Sequence, residues 1–244
     1  MANNEIVEKK VYWKNLRVSS DGTHHIRPDG TEAYKKRFLS VLAFRYSRAP
    51  VLDDSGAYHI LENGEPLYPE RYGRTFGYYG GLAAVVENGE YYHIDLDGNE
   101  VYEDRYVWAG NFNEGLAPVC DRDGNFFHIK LDGNRTYPER YLHVGDFNEG
   151  VAGVRDSEGV FHIDRNGNRV YERTFINVGI FHKRYAVAED EQGCFHINKN
   201  GEELYSHRFR LVDNFYNGFA WAEEIDDRIV WIDERGNIIK VIRE

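Results

Sequence analysis

The stretch DRDGNFFHIKLDGNRTYPERY, residues 121–141, sets the period of the whole chain. In it, His128 and Ile129 lie between two glycine-containing turns, and this pattern returns every 34 or 35 residues. The residue that marks the phase is His25, His59, His93, His128, His162, His196 or Trp231. Five residues later each repeat has a glycine, namely Gly30, Gly64, Gly98, Gly133, Gly167, Gly201 or Gly236. A fixed period of this length is typical of repeat architectures, so the chain is predicted to contain seven repeats.

Further positions keep the same phase. Nine residues after the histidine stands a tyrosine, which is Tyr34, Tyr68, Tyr102, Tyr137, Tyr171 or Tyr205. Twenty-four residues after it stands an alanine, which is Ala49, Ala83, Ala117, Ala152, Ala186 or Ala220. Because several independent positions recur together, the repeat does not depend on the histidine alone.

Each repeat reads as short extended segments joined by tight turns. In one copy, GLAPVCD (115–121) and FFHIKL (126–131) predict a hairpin around an Asp-Gly turn. RTYPE (135–139) and RYLHVGDF (140–147) predict a third and a fourth extended segment, the third confined by its proline to an edge or a bulge. No segment keeps a 3.6-residue apolar period, so the predicted class is all-β.

The repeats could close into a ring or stack as an open solenoid. The array begins part-way through a repeat with EIVEKKVYW (5–13) and ends part-way through another with WIDERGNIIKVIRE (231–244), so joining the ends would complete one repeat. Small residues on the first hairpin strand would let strands crowd around an axis. We therefore predict one domain, residues 1–244, that forms a closed seven-bladed β-propeller-like toroid, with a β-solenoid or hairpin stack as the alternative.

Composition excludes several classes of protein. The formal net charge of −11 disfavours nucleic-acid and anionic-membrane binding. Two cysteines and an N-terminus without an apolar signal region predict no disulfide framework and a cytoplasmic location. No apolar run approaches the roughly 20 residues that span a bilayer. We expect a soluble monomer without nucleic-acid or membrane partners.

The segments FNEGLAPVCDRDGNFFHIKLDGN and FNEGVAGVRDSEGVFHIDRNGN resemble the WG-type (KWG) β-repeat family of bacterial proteins. The resemblance covers about residues 10–244, but no repeat keeps the Trp-Gly pair, which would align with Phe126-Phe127, Tyr91-Tyr92 or Val160-Phe161. The chain therefore resembles a divergent branch. The resemblance implies an interaction or scaffold module, alone or beside an enzymatic domain such as a methyltransferase, and it implies no catalytic residue.

The six histidines could line a common channel and bind a metal, or they could be structural. A histidine in the middle of a strand that packs on other blades is expected to bond a backbone carbonyl or an acid across the gap, and Trp231 breaks the set. The Asp-Gly turns lack the spacing of a calcium loop, with glycine too early and no following glutamate. We therefore predict a structural role for these histidines, no metal site and no cofactor.

A recurring Glu-Arg-Tyr element offers the best predicted recognition surface. Its arginines could grip anionic groups at a rim, but we favour that they pair with the acidic turn of the next repeat and so tie neighbouring repeats together. Tyrosine and arginine are nevertheless frequent in binding hot spots. The final repeat adds two tryptophans where the pattern becomes irregular. The predicted binding residues are Tyr68, Arg71, Tyr102, Arg105, Tyr137, Arg140, Trp221 and Trp231.

Catalytic motifs are absent from the sequence: it has no phosphate-binding glycine loop, no dinucleotide fingerprint and no zinc-protease motif. We predict a non-enzymatic module for protein–protein interaction or scaffolding, accessory to a fused or neighbouring enzyme domain. The first alternative is a small-molecule or glycan-binding propeller with repeated Tyr, Trp and Arg pockets. The second is a hydrolase with its site in a central channel.

Overall fold

The computed structural model describes residues 13–243. Over that range it is all-β, with one 3₁₀ turn at Trp13–Asn15 and no α-helix, as the sequence predicts. The predicted opening segment at residues 5–12 lies outside the described residues. Within the described range, no helix is long and apolar enough to cross a membrane.

Contacts divide the chain into two compact parts, Met1–Asn111 and Phe112–Glu244. The first part contains a two-stranded sheet, two three-stranded sheets and one further strand. Its strands are β1 (Arg17–Val18), β2 (His25–Ile26), β3 (Ser40–Val41), β4 (Ala49–Asp53), β5 (Gly56–Ile60), β6 (Arg74–Thr75), β7 (Ala83–Glu87), β8 (Glu90–Ile94) and β9 (Trp108–Ala109). The sheet orders are β1-β2, β3-β4-β5 and β6-β7-β8.

The second part continues the same scheme. Its strands are β10 (Leu116–Cys120), β11 (Phe126–Lys130), β12 (His143–Val144), β13 (Val151–Arg155), β14 (Val160–Asp164), β15 (Asn177–Val178), β16 (Ala186–Asp190), β17 (Gly193–Ile197), β18 (Leu211–Val212), β19 (Phe219–Glu223), β20 (Ile229–Asp233) and β21 (Ile238–Arg243). They form the hairpin β10-β11, the sheets β12-β13-β14 and β15-β16-β17, and the four-stranded sheet β18-β19-β20-β21. We call the last of these the last sheet.

A regular repeat contributes a two-residue strand followed by a hairpin of two five-residue strands. In β7 and β8 the connection is Asn88-Gly89, both at positive φ (52° and 84°), which matches the twist of a tight hairpin. The predicted third segment is not a continuous strand. It touches its hairpin only at isolated bridges such as Ile94↔Glu100 and Ile129↔Arg135, and where its proline is present that residue cannot donate to a ladder.

The predicted alanines fill one face of each hairpin. All six are at most 1% exposed, namely Ala49, Ala83, Ala117, Ala152, Ala186 and Ala220. Large aromatic and aliphatic residues complete the core, including Tyr58, Phe161 and Ile163. Small and large side chains together therefore fill the core of the repeats.

Candidate functional site

The six repeated histidines are fully buried, and both ring nitrogens of each are hydrogen-bonded. Nε2 meets the backbone oxygen seventeen residues later, at 2.8–3.0 Å, on Leu42, Phe76, Gly110, Gly145, Gly179 or Asp213. A carbonyl only accepts, so Nε2 carries the proton, and Nδ1 accepts from the hydroxyl of the repeat's own tyrosine. Each imidazole therefore links its own repeat to the next one.

Burial keeps these imidazoles neutral. Desolvation lowers the pKa of His59, His128 and His162 to about 4, although the bond to the carbonyl opposes the shift. Since Nε2 is committed as a donor and Nδ1 as an acceptor, neither nitrogen has a lone pair free for a metal. Among residues 13–243, no group of three or more metal-ligating side chains is found.

The repeated tyrosines lie inside the molecule rather than on a surface. Tyr68 and Tyr137 are buried, Tyr102 is half-buried, and all three hydroxyls bind a histidine. Burial also raises the tyrosine pKa well above its usual value. The prediction that these tyrosines form a recognition surface is not supported, because their rings and hydroxyls are used internally.

The tyrosine ring of one repeat also packs against the glycine of the following repeat and leaves no room for a side chain there. A Cβ on Gly98 would lie 2.3 Å from Cδ1 of Tyr68, and one on Gly201 would lie 2.6 Å from Cγ of Tyr171. These glycines also have φ of +90° and +74°, a region that side chains rarely adopt. The invariant glycine thus serves two purposes, turn geometry and space for the preceding repeat's tyrosine.

The predicted arginines pack on the aromatic residue that precedes the histidine of their own repeat. The guanidinium of Arg71 lies 3.6 Å from the ring centre of Tyr58, and that of Arg105 lies 3.8 Å from Tyr92. Arg140 is exposed and pairs with Asp121 at 3.1 Å. These contacts stay within one repeat, so the predicted pairing of these arginines with the next repeat is wrong, and Arg71 and Arg105 are already engaged.

Salt bridges between neighbouring repeats are instead made by the residue that precedes the arginine position. Lys36 lies 3.5 Å from Asp53 of the following hairpin, and Arg173 lies 3.4 Å from Asp190 in the same way. Asp190 is also bound by Arg208 at 2.8 Å, and this arginine is the main cause of its lowered pKa. An acid recurs at the end of each first hairpin strand or directly after it, and this signal was not used in the prediction from the sequence.

Trp221 and Trp231 lie side by side on neighbouring strands of the last sheet, in a row of four aligned residues. Asp213 donates its N–H to the carbonyl of Trp221, Trp221 pairs with Trp231, and Trp231 pairs with Lys240. Paired residues of neighbouring strands place their side chains on one face. We call these four residues the aromatic row. At the usual strand spacing it extends over about 14 Å.

In other repeats the position equivalent to Trp221, which pairs with the histidine, holds a smaller residue: Pro50, Ala84, Gly153 or Val187. The corresponding sets are Leu42-Pro50-His59, Phe76-Ala84-His93, Gly145-Gly153-His162 and Gly179-Val187-His196. A Cβ on Gly153 would already lie 3.1 Å from Cγ2 of Val178 in the following sheet. A tryptophan at the position of Gly153 would clash with the following sheet. The last sheet, which has Trp221 at this position, therefore presents a face that differs from that of a regular sheet.

The face that carries the aromatic row is open. Trp231 is 40% exposed, whereas the histidines at its position are 0% exposed. It lines a cleft of about 620 Å³ with Asp213, Asn214, Tyr216, Asn217, Phe219, Trp221, Ile239 and Lys240. We call this space the aromatic cleft. Its lining combines aromatic side chains with the charged groups of Asp213 and Lys240, a combination typical of recognition sites.

The geometry defines a β-repeat protein with one distinct open cleft in its final repeat. The family model described as WG containing repeat matches residues 94–125 and 197–226. These two matches confirm the predicted resemblance and support a WG-type β-repeat family. A comparison with curated proteins returned no match.

Solved structures similar to the chain are β-propellers. They include BamB from Moraxella catarrhalis (13% identity, 93% of this chain and 84% of the other, TM-score 0.53). They also include the computationally designed Ika8 protein (14%, 93% and 82%, TM-score 0.53) and a eukaryotic initiation factor (12%, 93% and 72%, TM-score 0.59). At such low identity the likeness shows the fold alone, which is propeller-like.

Proposed function

We propose that the chain is a non-enzymatic interaction module that binds a protein partner, free or as an enzyme domain, through the aromatic cleft. The observation that carries this proposal is the joint replacement of compact residues by Trp221 and Trp231 on an open face. Tryptophan and tyrosine dominate binding hot spots because they bury a large area with few rotatable bonds. Propeller-like repeat folds commonly mediate protein interactions, which supports the same reading.

We also propose that the seven repeats close into a toroid. Similarity to propellers over 93% of the chain supports this arrangement. Small-angle scattering tests it, since a ring gives a compact disc and a solenoid gives an elongated rod. In the regular repeats the face that carries the histidine packs on the following sheet, so a closed ring would bring a further repeat toward the aromatic row, and both proposals hold together only if the cleft stays accessible in the ring.

A small molecule or glycan is the second candidate ligand. The cleft volume falls within the range of small-molecule sites, and the amides of Asn214 and Asn217 can bond hydroxyl groups. It would be one site, not the repeated set of pockets predicted from the sequence, because the repeated tyrosines are internal. Binding on a glycan array that is lost after Trp221→Val/Trp231→His would favour this candidate.

Site-specific photocross-linking tests the protein-binding proposal. The photoreactive amino acid p-benzoylphenylalanine replaces Phe219, inside the cleft, or Leu142, which is exposed elsewhere in the same part of the chain. In cells of the organism that encodes the protein, we expect one discrete protein adduct from position 219 and none from position 142. An absence of adducts at 219, or the same adducts at both positions, would contradict the proposal.

A further inference from the structure

Strand β21 differs from the outer segment of every other described sheet. In the other repeats that segment touches its hairpin at isolated bridges, whereas β21 pairs along β20 from Ile238 to Arg243. It is the terminal strand in the order of the last sheet, and within residues 13–243 no strand pairs with its outer edge. An edge strand presents unpaired N–H and C=O groups that can pair with another chain.

The side chains of β21 are unusually apolar for an edge. All six residues are exposed, with Ile238, Ile239, Val241 and Ile242 between 41% and 51%. Proteins usually blunt such edges with charge, proline or irregular backbone. Here two register shifts and Lys240 interrupt the strand, but four of its six exposed side chains are aliphatic.

The charge of β21 is positive although the chain as a whole carries −11. Lys240 and Arg243 are the charged residues of β21, and the strand contains no acid. Lys240 also ends the aromatic row, and Ile239 lines the aromatic cleft. Strand β21 therefore borders the aromatic cleft and contributes one aliphatic and one basic side chain to its lining.

We propose that β21 accepts an extended strand of the partner protein, which is apolar at alternate positions and acidic where it meets Lys240 and Arg243. Main-chain hydrogen bonds to the edge would supply affinity, and alternate side chains would supply specificity. The residue of the added strand that lies opposite Lys240 would become the next member of the aromatic row. This inference rests on the proposed function, because it specifies how the protein partner is bound.

An array of ten-residue peptides that alternate Val, Ile or Phe with Glu or Asp tests the proposal by fluorescence anisotropy with the full chain. We expect binding by members of the array and at least tenfold weaker binding when alternate amides of the best peptide are N-methylated. Lys240→Glu should weaken the acidic peptide about tenfold and strengthen its lysine analogue. Arg235→Glu, an exposed charge in the preceding turn, is the matched control and should change neither.

Three results would overturn the inference: no peptide binds, N-methylation has no effect, or sedimentation shows that the edge is occupied by β21 of a second copy. Circular dichroism confirms that the variants are folded, which is expected because Lys240 is exposed. If the peptides fail while position 219 still cross-links to a partner, the proposed function stands and only strand addition is wrong.

Discussion

The hydroxyl of Tyr68 donates to Nδ1 of His59 at 2.5 Å, and Nε2 of the same imidazole donates to the carbonyl of Phe76 at 2.8 Å. The ring of Tyr68 also lies against Gly98 of the following repeat. One tyrosine, one histidine and one glycine therefore couple neighbouring repeats. Such nearest-neighbour interfaces are what stabilise repeat proteins.

Removal of one tyrosine hydroxyl should be costly. Tyr68→Phe leaves the buried Nδ1 of His59 without a donor, so we expect a loss of about 1–3 kcal/mol in the free energy of unfolding. Tyr46→Phe, at a residue 45% exposed, is the control and should change little. Urea denaturation measures both. Equal stability of the two variants would show that the hydrogen bond contributes nothing.

The packing role of the glycine that faces the tyrosine can be distinguished by mutation from the role of a glycine that only forms a turn. Gly98 and Gly89 have similar φ, +90° and +84°, but only Gly98 has Tyr68 within reach. Both alanine variants incur backbone strain of about 1–2 kcal/mol. Gly98→Ala should cost a further 1–3 kcal/mol, roughly, for the clash. Matching thermal melts of the two variants would exclude the packing role.

Stability should fall on mild acidification. The pKa of His59, His93, His128, His162 and His196 is lowered by desolvation to about 4, whereas an unfolded histidine titrates near 6.5. Between those values the unfolded state binds protons that the folded state does not, so stability is full above about pH 6.5 and is lost toward pH 4. Each pH unit costs roughly 1.4 kcal/mol per histidine. Urea denaturation from pH 7.5 to 5 measures the slope, and a flat profile would contradict neutral, buried histidines.

Arg208 should not tolerate lysine. Its guanidinium bonds Asp190 and Glu203 at 2.8 Å each and lies 3.6 Å from the ring centre of Phe195. Lysine keeps the charge but loses the planar fork and the stacking, so Arg208→Lys should cost about 1–2 kcal/mol. Arg210→Lys, at a side chain 55% exposed, is the matched control. If both variants unfold at the same urea concentration, the network adds no stability.

The seven repeats, the short strands and the turn glycines were predictable because each rests on a local pattern. The internal position of the repeated tyrosines and their hydrogen bonds to the histidines were not predicted from the sequence. Tyrosine is amphipathic, and its constant nine-residue distance from histidine was the available sign of an internal partner. The recurrent acid that ends the first hairpin strand was visible in the same way, but its partners lie on different segments.

The aromatic row was only half predictable. Trp221 and Trp231 stood out as breaks in the repeat, yet their alignment with Asp213 and Lys240 depends on the register of four strands. The sequence pattern indicates only that GNIIKVIRE ends the array part-way through a repeat, whereas the structure has a continuous edge strand from Ile238 to Arg243.

The most direct test of the central claim is the affinity of the purified cross-linked partner for a variant that restores the regular repeat. Trp221→Val/Trp231→His recreates the residues at Val187 and His196, and Trp108→Ala, at a tryptophan equally 40% exposed, is the control. Calorimetry should show about a hundredfold loss of affinity for the double variant and none for the control. Undiminished binding by the double variant, with the fold intact, would contradict the aromatic cleft as the recognition site.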